Sequence, residues 1–94
     1  MIVEVILDGA LMTARAALHD LLAEKFAFPD YYGRNLDALY DMLTGNPKEI
    51  NVTVIHTEEL LEHLGRYGKL FLQTLQDASQ SNAKLKISII AENI

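Results

Sequence analysis

Three short runs of apolar residues alternate along the chain with longer stretches in which leucines recur every three or four positions. The runs cover Ile2 to Leu7, Ile50 to His56 and Lys84 to Ala91, and all are rich in valine or isoleucine. Residues branched at Cβ favour strands because they pack well on a pleated surface. The second and third runs end in nearly continuous apolar residues, which indicates strands with one face well covered.

The stretch between the first two strands predicts two helices. Thr13 is the expected N-cap of the first, which continues at helical spacing to about Phe26. Asn35 is the expected N-cap of the second, and Gly45 is expected to end it in the left-handed conformation. The buried face of this second helix is marked by Leu36, Leu39 and Leu43.

The stretch between the second and third strands predicts two more helices. Thr57 is the expected N-cap of the first of these, with two glutamates in its favourable first turn. Gly65 and Gly68 are expected to bracket a break before the last helix, from about Lys69 to Ser81. Its inward positions are Leu72, Leu75 and Ala78.

The resulting element order is β-α-α-β-α-α-β. Each helical crossover is long enough to join parallel strands, and such crossovers are almost always right-handed. We therefore predict a two-layer α/β fold in which helices pack on one face of a three-stranded parallel sheet of order 1-2-3. With no repeat or linker in the sequence, residues 1–94 are expected to form a single domain.

The net charge of the chain limits the classes of molecule that it is expected to bind. The 94 residues include 13 acidic and 8 basic ones, for a formal net charge of −5. This balance argues against direct binding of nucleic acid, since lysine and arginine carry the affinity for phosphates. An acidic domain would attract a basic protein, although the same charge also serves solubility alone.

The sequence lacks signals for a membrane, a disulfide or a cofactor. No apolar run approaches the roughly 20 residues that span a bilayer. The first residues, MIVEVILDG, have no basic region ahead of the apolar run, as a signal peptide would. There is no cysteine and no glycine-rich phosphate-binding motif. We expect a cytoplasmic protein with neither cofactor nor metal.

The second helix carries an unusual acidic face. Asp37, Asp41 and Thr44 fall at i, i+4 and i+7, opposite the leucine stripe. A carboxylate in the last turn opposes the helix dipole by about 0.3–1 kcal/mol, and two aspartates four positions apart also repel. Such a local cost indicates a function. An ordinary solvated face remains the alternative at this point.

The segment from Pro29 to Gly45, PDYYGRNLDALYDMLTG, resembles the signature of the barstar family, intracellular inhibitors of the secreted ribonuclease barnase. The shared positions are the paired tyrosines, the glycine, the run 35–39, Asp41 and the run 43–45. The predicted element order is also similar to that family's fold.

The resemblance implies an inhibitor rather than an enzyme, acting at about one-to-one stoichiometry on a basic, barnase-like microbial ribonuclease. In that family the acidic helix and its preceding loop plug the enzyme's active site. A carboxylate can replace the scissile phosphate and accept charge-assisted hydrogen bonds from the cleft, and an exposed aromatic ring can stack there. The matching partner-binding positions are Tyr31, Asn35, Asp37, Tyr40, Asp41, Thr44, Gly45 and Asp77.

Several positions depart from the best-known member of the family. Tyr40 and Asn46 stand where that protein has tryptophans, and Asp77 and Ser81 stand where it has two glutamates. Arg34 replaces an acidic residue, which lowers the local negative charge. The resemblance therefore implies a related ribonuclease with a different rim around its cleft.

Two other functions are compatible with the residues alone. One is a carboxylate-based hydrolase using Asp37 and Asp41, although a single helix face offers no general acid and no closed metal shell. The other is a module that binds a different basic protein. The histidines do not form a catalytic set: His19 and His63 are expected at the surface, and His56 is expected to cap or bond locally.

Overall fold

The computed structural model describes residues 1–90, and within them the predicted β-α-α-β-α-α-β order is confirmed. A 3₁₀ turn at Gly9–Leu11 follows the first strand. Ala91, at the end of the third predicted strand, lies outside the described residues. The strands are β1 Ile2–Asp8, β2 Glu49–Ile55 and β3 Leu85–Ile89. The helices are α1 Arg15–Phe26, α2 Leu36–Thr44, α3 Thr57–Leu64 and α4 Arg66–Ser81.

The sheet is parallel with strand order β1-β2-β3, as predicted. Val5 pairs with Val52, which in turn pairs with Ile87. Alternate side chains on β1 and β2 are buried, whereas Ile2 and Ile6 on the opposite face are 53% and 58% exposed. Because side chains alternate across a strand, this pattern shows that the covered face of the sheet is the one bearing Val5 and Val52.

The core combines the buried face of the sheet with apolar side chains from all four helices. Phe71 of α4 is fully buried, whereas Leu72, the predicted inward position, is half-buried. Burying such a side chain contributes about 1.5–3 kcal/mol, so α4 is a main source of stability. Other fully buried members of the core are Leu7, Met12, Leu18, Leu22, Leu39, Val54, Leu60, Leu75 and Ala78. Among residues 1–90, no helix has both the length and the apolar character to cross a bilayer.

Gly65 alone separates α3 from α4, and the predicted break at Gly68 is wrong. Gly65 has φ +56°, a backbone conformation that favours glycine. Gly68 lies inside α4 and is buried. A Cβ there would come within 3.3 Å of a Leu61 side-chain methyl and 3.4 Å of the Leu60 carbonyl oxygen. Gly68 therefore allows α4 to pack closely on α3, and it does not form a turn.

Two of the three predicted helix N-caps are wrong. Asn35 caps α2 as predicted, since its Oδ1 accepts from the N–H of Ala38 at 2.7 Å. The N-cap of α1 is Ala14 rather than Thr13, and its side chain makes no capping bond. Thr57 is the first residue of α3 rather than its cap, and its hydroxyl donates to the carbonyl of Ile90 at 2.8 Å. The Thr57 hydroxyl, predicted to cap the helix, thus bonds instead to a carbonyl far away in the sequence.

The predicted left-handed end of α2 is also wrong. Gly45 has φ −87° and ψ −3°, which any residue can adopt. Its N–H donates to the carbonyl oxygen of Asp41 at 3.0 Å, so it closes the last turn of the helix in ordinary geometry. A Cβ at this position would lie 3.2 Å from the carbonyl oxygen of Asp41, so glycine avoids a tight contact with the backbone of the helix.

Candidate functional site

Helix α2 turns a polar face outward because its leucines are held in the core. Leu39 and Leu43 are buried, whereas Asp37 and Asp41 are exposed. The two aspartates are four residues apart, so their side chains project from the same face, one turn and about 6 Å apart along the axis. The sequence prediction of an exposed acidic face on this helix is confirmed.

The loop before α2 sends two adjacent tyrosines in different directions. Tyr31 is 83% exposed, whereas Tyr32 is only 6% exposed. The ring of Tyr32 packs on Phe28 with 4.7 Å between centroids, and its N–H donates to the carbonyl of Pro29 at 3.0 Å. Tyr32 thus anchors the loop and presents its neighbour to solvent.

A shallow groove of about 380 Å³ brings Tyr31 together with the C-terminal end of α2. Asp41 and Gly45 also line it, so three of the predicted contact residues meet here. A carboxylate and an exposed aromatic ring therefore border one open concave surface. The rest of the lining comes from residues 26–29 together with Met42, Asn46, Pro47 and Lys48.

A second groove, of about 310 Å³, lies at the N-terminal end of α2. It contains the predicted residues Asn35 and Asp37 beside Arg34 and Arg15. Arg34 has φ +55° and forms an ion pair with Asp20 of α1. The groove at the start of α2 therefore contains two arginines, whereas the groove at its end contains one lysine, Lys48. The remaining lining residues are Leu36 and Tyr67.

Tyr40 connects α2 to α4. Its hydroxyl lies 2.7 Å from the hydroxyl of Ser81. Asp77 is one helical turn before Ser81, so it occupies the same side of α4. The carboxylate of Asp77 is exposed and accepts from the amide of Gln73 at 2.9 Å. Two predicted positions, Tyr40 and Asp77, are thereby placed on neighbouring helices.

The end of α2 is held by internal hydrogen bonds. The Thr44 hydroxyl donates to the carbonyl of Tyr40 at 2.8 Å, so this predicted contact residue already has a partner in its own helix. The side-chain amide of Asn82 donates to the carbonyls of Leu43 at 3.0 Å and Asn46 at 3.1 Å. Asn82, which the sequence prediction missed, clamps the chain on either side of Gly45.

His19 is buried, so its predicted surface position is wrong. It is 2% exposed, and its ring nitrogens each lie 2.7 Å from a tyrosine hydroxyl, Nδ1 from Tyr32 and Nε2 from Tyr67. Burial lowers the pKa of His19, and the Arg34 guanidinium lowers it further. Burial also raises the pKa of Tyr32 and of Tyr67. The burial of His19 could have been predicted from the sequence, because His19 lies next to Leu18 and three residues before Leu22 and so falls on the inward face of α1.

The other histidines lie outside both grooves. His63 is exposed on α3, as predicted. Nδ1 of His56 lies 2.7 Å from a carboxylate oxygen of Asp8, which is 48 positions away in the chain, so this contact is not the local bond that was predicted. This hydrogen bond lowers the pKa of Asp8. Among residues 1–90, no group of three histidine, aspartate or glutamate side chains is close enough to hold a metal ion.

Comparison with known proteins identifies the family. The family model described as "Barstar (barnase inhibitor)" matches residues 2–92. The chain belongs to the barstar family. A curated member of similar length, from Bacillus subtilis (strain 168), is 40% identical over 90 residues, which cover 95% of this chain and 98% of that protein. Its name is "Putative ribonuclease inhibitor YrdF". The resemblance seen in the segment from Pro29 to Gly45 is thus confirmed across nearly the whole chain.

Proposed function

We propose that this barstar-family chain inhibits a basic microbial ribonuclease by inserting α2 and its preceding loop into the enzyme's active site. The observation that carries the proposal is the exposed pair Asp37 and Asp41 on one face of α2, with Tyr31 beside Asp41 in a shared groove. The family description and the name of the 40% identical relative both support inhibition of a ribonuclease.

The chemistry of the cleft explains this choice of residues. A ribonuclease binds a phosphodiester with cationic donors, and a carboxylate can accept the same charge-assisted hydrogen bonds. Asp41 is the proposed phosphate mimic, with Asp37 as a second anion one turn away. Tyr31 provides a flat ring for stacking on the enzyme. Gly45, whose φ does not require glycine, leaves room for partner atoms to approach the backbone.

The remaining predicted partner-binding positions differ in the contacts that they make within the chain. Asn35 caps α2, and Thr44 bonds to its own helix, so both hold the acidic face in shape as well as bordering it. Tyr40 is held against Ser81 and adds a half-buried ring beside the two aspartates. Asp77 adds a carboxylate from α4 at the edge of the contact. We propose that all of these border the enzyme in the complex.

The hydrolase alternative receives no support from the two grooves. Neither groove that contains an aspartate of α2 is lined by a histidine of the described residues. Histidine, the most frequent general acid or base, is therefore missing beside Asp37 and Asp41 among the described residues. We expect the isolated chain to have no ribonuclease or hydrolase activity.

Inhibition assays test the proposal directly. The chain is titrated against a panel of basic microbial ribonucleases that includes barnase, and at least one enzyme should be inhibited at about one-to-one stoichiometry. Association should slow as salt rises, while dissociation changes less, because attraction between an acidic patch and a basic cleft acts mainly on encounter.

A matched pair of variants separates the acidic face from net charge. Asp41→Ala should lose inhibition, whereas Glu62→Ala, which removes the same charge from an exposed position on α3, should retain it. No inhibition across the panel, or equal inhibition by the two variants, would refute the proposed function.

A further inference from the structure

The groove at the start of α2 carries cations on a surface proposed to meet a basic enzyme. Arg15 and Arg34 line it together with Asp37. Against a uniformly basic partner, these arginines would oppose docking, since like charges brought together across an interface are unfavourable. A partner that docks on this groove must therefore accommodate the positive charges of Arg15 and Arg34.

Arg34 is held in place by both its backbone and its side chain. Its φ of +55° is uncommon for a residue other than glycine. Its guanidinium pairs with Asp20 of α1, and 45% of the side chain remains exposed. The ion pair neutralises part of the charge of Arg34 and directs its side chain across the gap between α1 and the start of α2.

Arg15 is held without an anion. Its guanidinium carbon lies 4.2 Å from the centroid of the Tyr67 ring, a cation–π contact. That ring is itself fixed, because the Tyr67 hydroxyl is bonded to Nε2 of the buried His19. Within residues 1–90, no carboxylate forms an ion pair with Arg15. Its positive charge is thus preorganised and available to a partner.

Asp37 does not neutralise the groove. No cation of residues 1–90 forms an ion pair with it, so its carboxylate also remains available to a partner. The groove therefore offers a free guanidinium and a free carboxylate side by side. Such a surface matches a partner that presents opposite charges in the same order.

We propose that Arg15, supported by Arg34, binds a carboxylate at the rim of the ribonuclease's basic cleft and so selects which ribonucleases the chain inhibits. Guanidinium groups suit this role because their planar fork of donors matches a carboxylate. This inference rests on the proposed function and adds to it the chemistry of one specificity contact. The preferred enzyme carries an aspartate or glutamate beside the cationic site that receives Asp37.

The test uses the panel ribonuclease that the wild-type chain inhibits most strongly. Arg15→Gln is compared with Lys86→Gln, which removes the same charge from the outward face of β3. If only the attraction between net charges mattered, both variants would bind a basic enzyme at least as tightly as the wild-type chain, because both are more acidic. The specific contact predicts instead that Arg15→Gln raises the dissociation constant by about tenfold or more, the usual loss for a hydrogen bond to a charged group.

A third variant tests, without removing an arginine, whether the ion pair with Asp20 withholds part of the charge of Arg34 from the partner. Asp20→Asn makes the chain less acidic, which on general attraction alone weakens binding to a basic enzyme. It also releases the charge of Arg34 towards the rim, so we expect tighter binding. Melting temperatures are measured for every variant, and binding is compared where all proteins are folded.

Alanine substitutions of acidic residues at the rim of the same ribonuclease complete the test. One of them should show strong non-additivity with Arg15→Gln in a double-mutant cycle. The inference is overturned if Arg15→Gln binds as tightly as Lys86→Gln, or if no rim carboxylate couples to Arg15. Failure of the wild-type chain to inhibit any enzyme of the panel would instead refute the proposed function itself.

Discussion

Nδ1 of His19 lies 2.7 Å from the hydroxyl oxygen of Tyr32, which joins α1 to the loop that presents Tyr31. Nε2 of the same ring meets the hydroxyl of Tyr67 on α4, also at 2.7 Å. A neutral imidazole has one donor and one acceptor nitrogen, so one tyrosine donates to the ring and the other accepts from it. The proposed binding loop is thereby tied to two helices through a single buried side chain.

Acidification should destabilise the fold through His19. Its pKa in the folded chain is lowered from the ordinary 6.5, so between these two values the unfolded chain binds more protons. The free energy of unfolding should therefore decrease as pH falls below about 6.5 and level off, for this group, below the folded pKa. Urea unfolding across this range measures the effect.

Substitution of His19 provides the control for this pH effect. His19→Gln should remove this part of the pH dependence, whereas Tyr67→Phe should keep it, because burial, the main cause of the shift, remains. An identical pH dependence in wild type and His19→Gln would show that His19 does not contribute.

Tyr67→Phe should lower the free energy of unfolding by about 0.5–1.5 kcal/mol, the usual contribution of one intramolecular hydrogen bond. The substitution keeps the ring beneath Arg15 but leaves Nε2 of His19 without its partner. Tyr31→Phe is the matched control, since it removes a hydroxyl from a side chain that is 83% exposed. Equal stability of the two variants in urea unfolding would contradict a structural role for the Tyr67 hydroxyl.

Asp41→Ala should weaken inhibition by about 2–5 kcal/mol or more, because the enzyme's cationic donors would be left buried and unpaired. The fold should be unchanged or slightly more stable. Asp41 is exposed, so no cavity opens, and the last turn of α2 loses a charge that opposes its dipole. Inhibition constants and melting temperatures are measured together with Asp37→Ala and Asp77→Ala. A variant that unfolds, or that inhibits as well as wild type, would contradict this role for Asp41.

Asn82→Asp should loosen the end of α2 without touching its acidic face. It keeps the oxygen that accepts from the N–H of Lys84 at 3.0 Å, but it loses the amide that donates to two carbonyls. We expect a loss of about 1–3 kcal/mol in the free energy of unfolding, since partly buried acceptors lose their donor. Inhibition should also weaken, because Gly45 lies between those carbonyls.

The control for Asn82 is Ser81→Ala, which removes only the exposed hydroxyl that pairs with Tyr40. Its effect on unfolding should be smaller. Equal unfolding energies for Asn82→Asp and Ser81→Ala would show that the Asn82 amide is not a significant clamp.

The sequence by itself determined the elements and the exposed acidic face. Strand runs and leucine stripes depend on neighbours two to four positions away, so their periodicity can be read directly along the chain. Asn35 was predicted correctly as a cap because its acceptor meets an N–H only three residues on. The family was recognisable for a related reason, since its signature is one uninterrupted segment.

Only the tertiary structure decided the features that depend on distant partners. His19 is buried by tyrosines 13 and 48 positions away, and the hydroxyl of Thr57 is taken by a carbonyl 33 positions away. Gly68 lies where α4 packs closely on α3 rather than at a turn. Arg15 and Arg34 share a groove only because the fold brings the start of α1 near the start of α2. Local spacing does not contain these contacts, because they arise when separate elements are brought together around a common core.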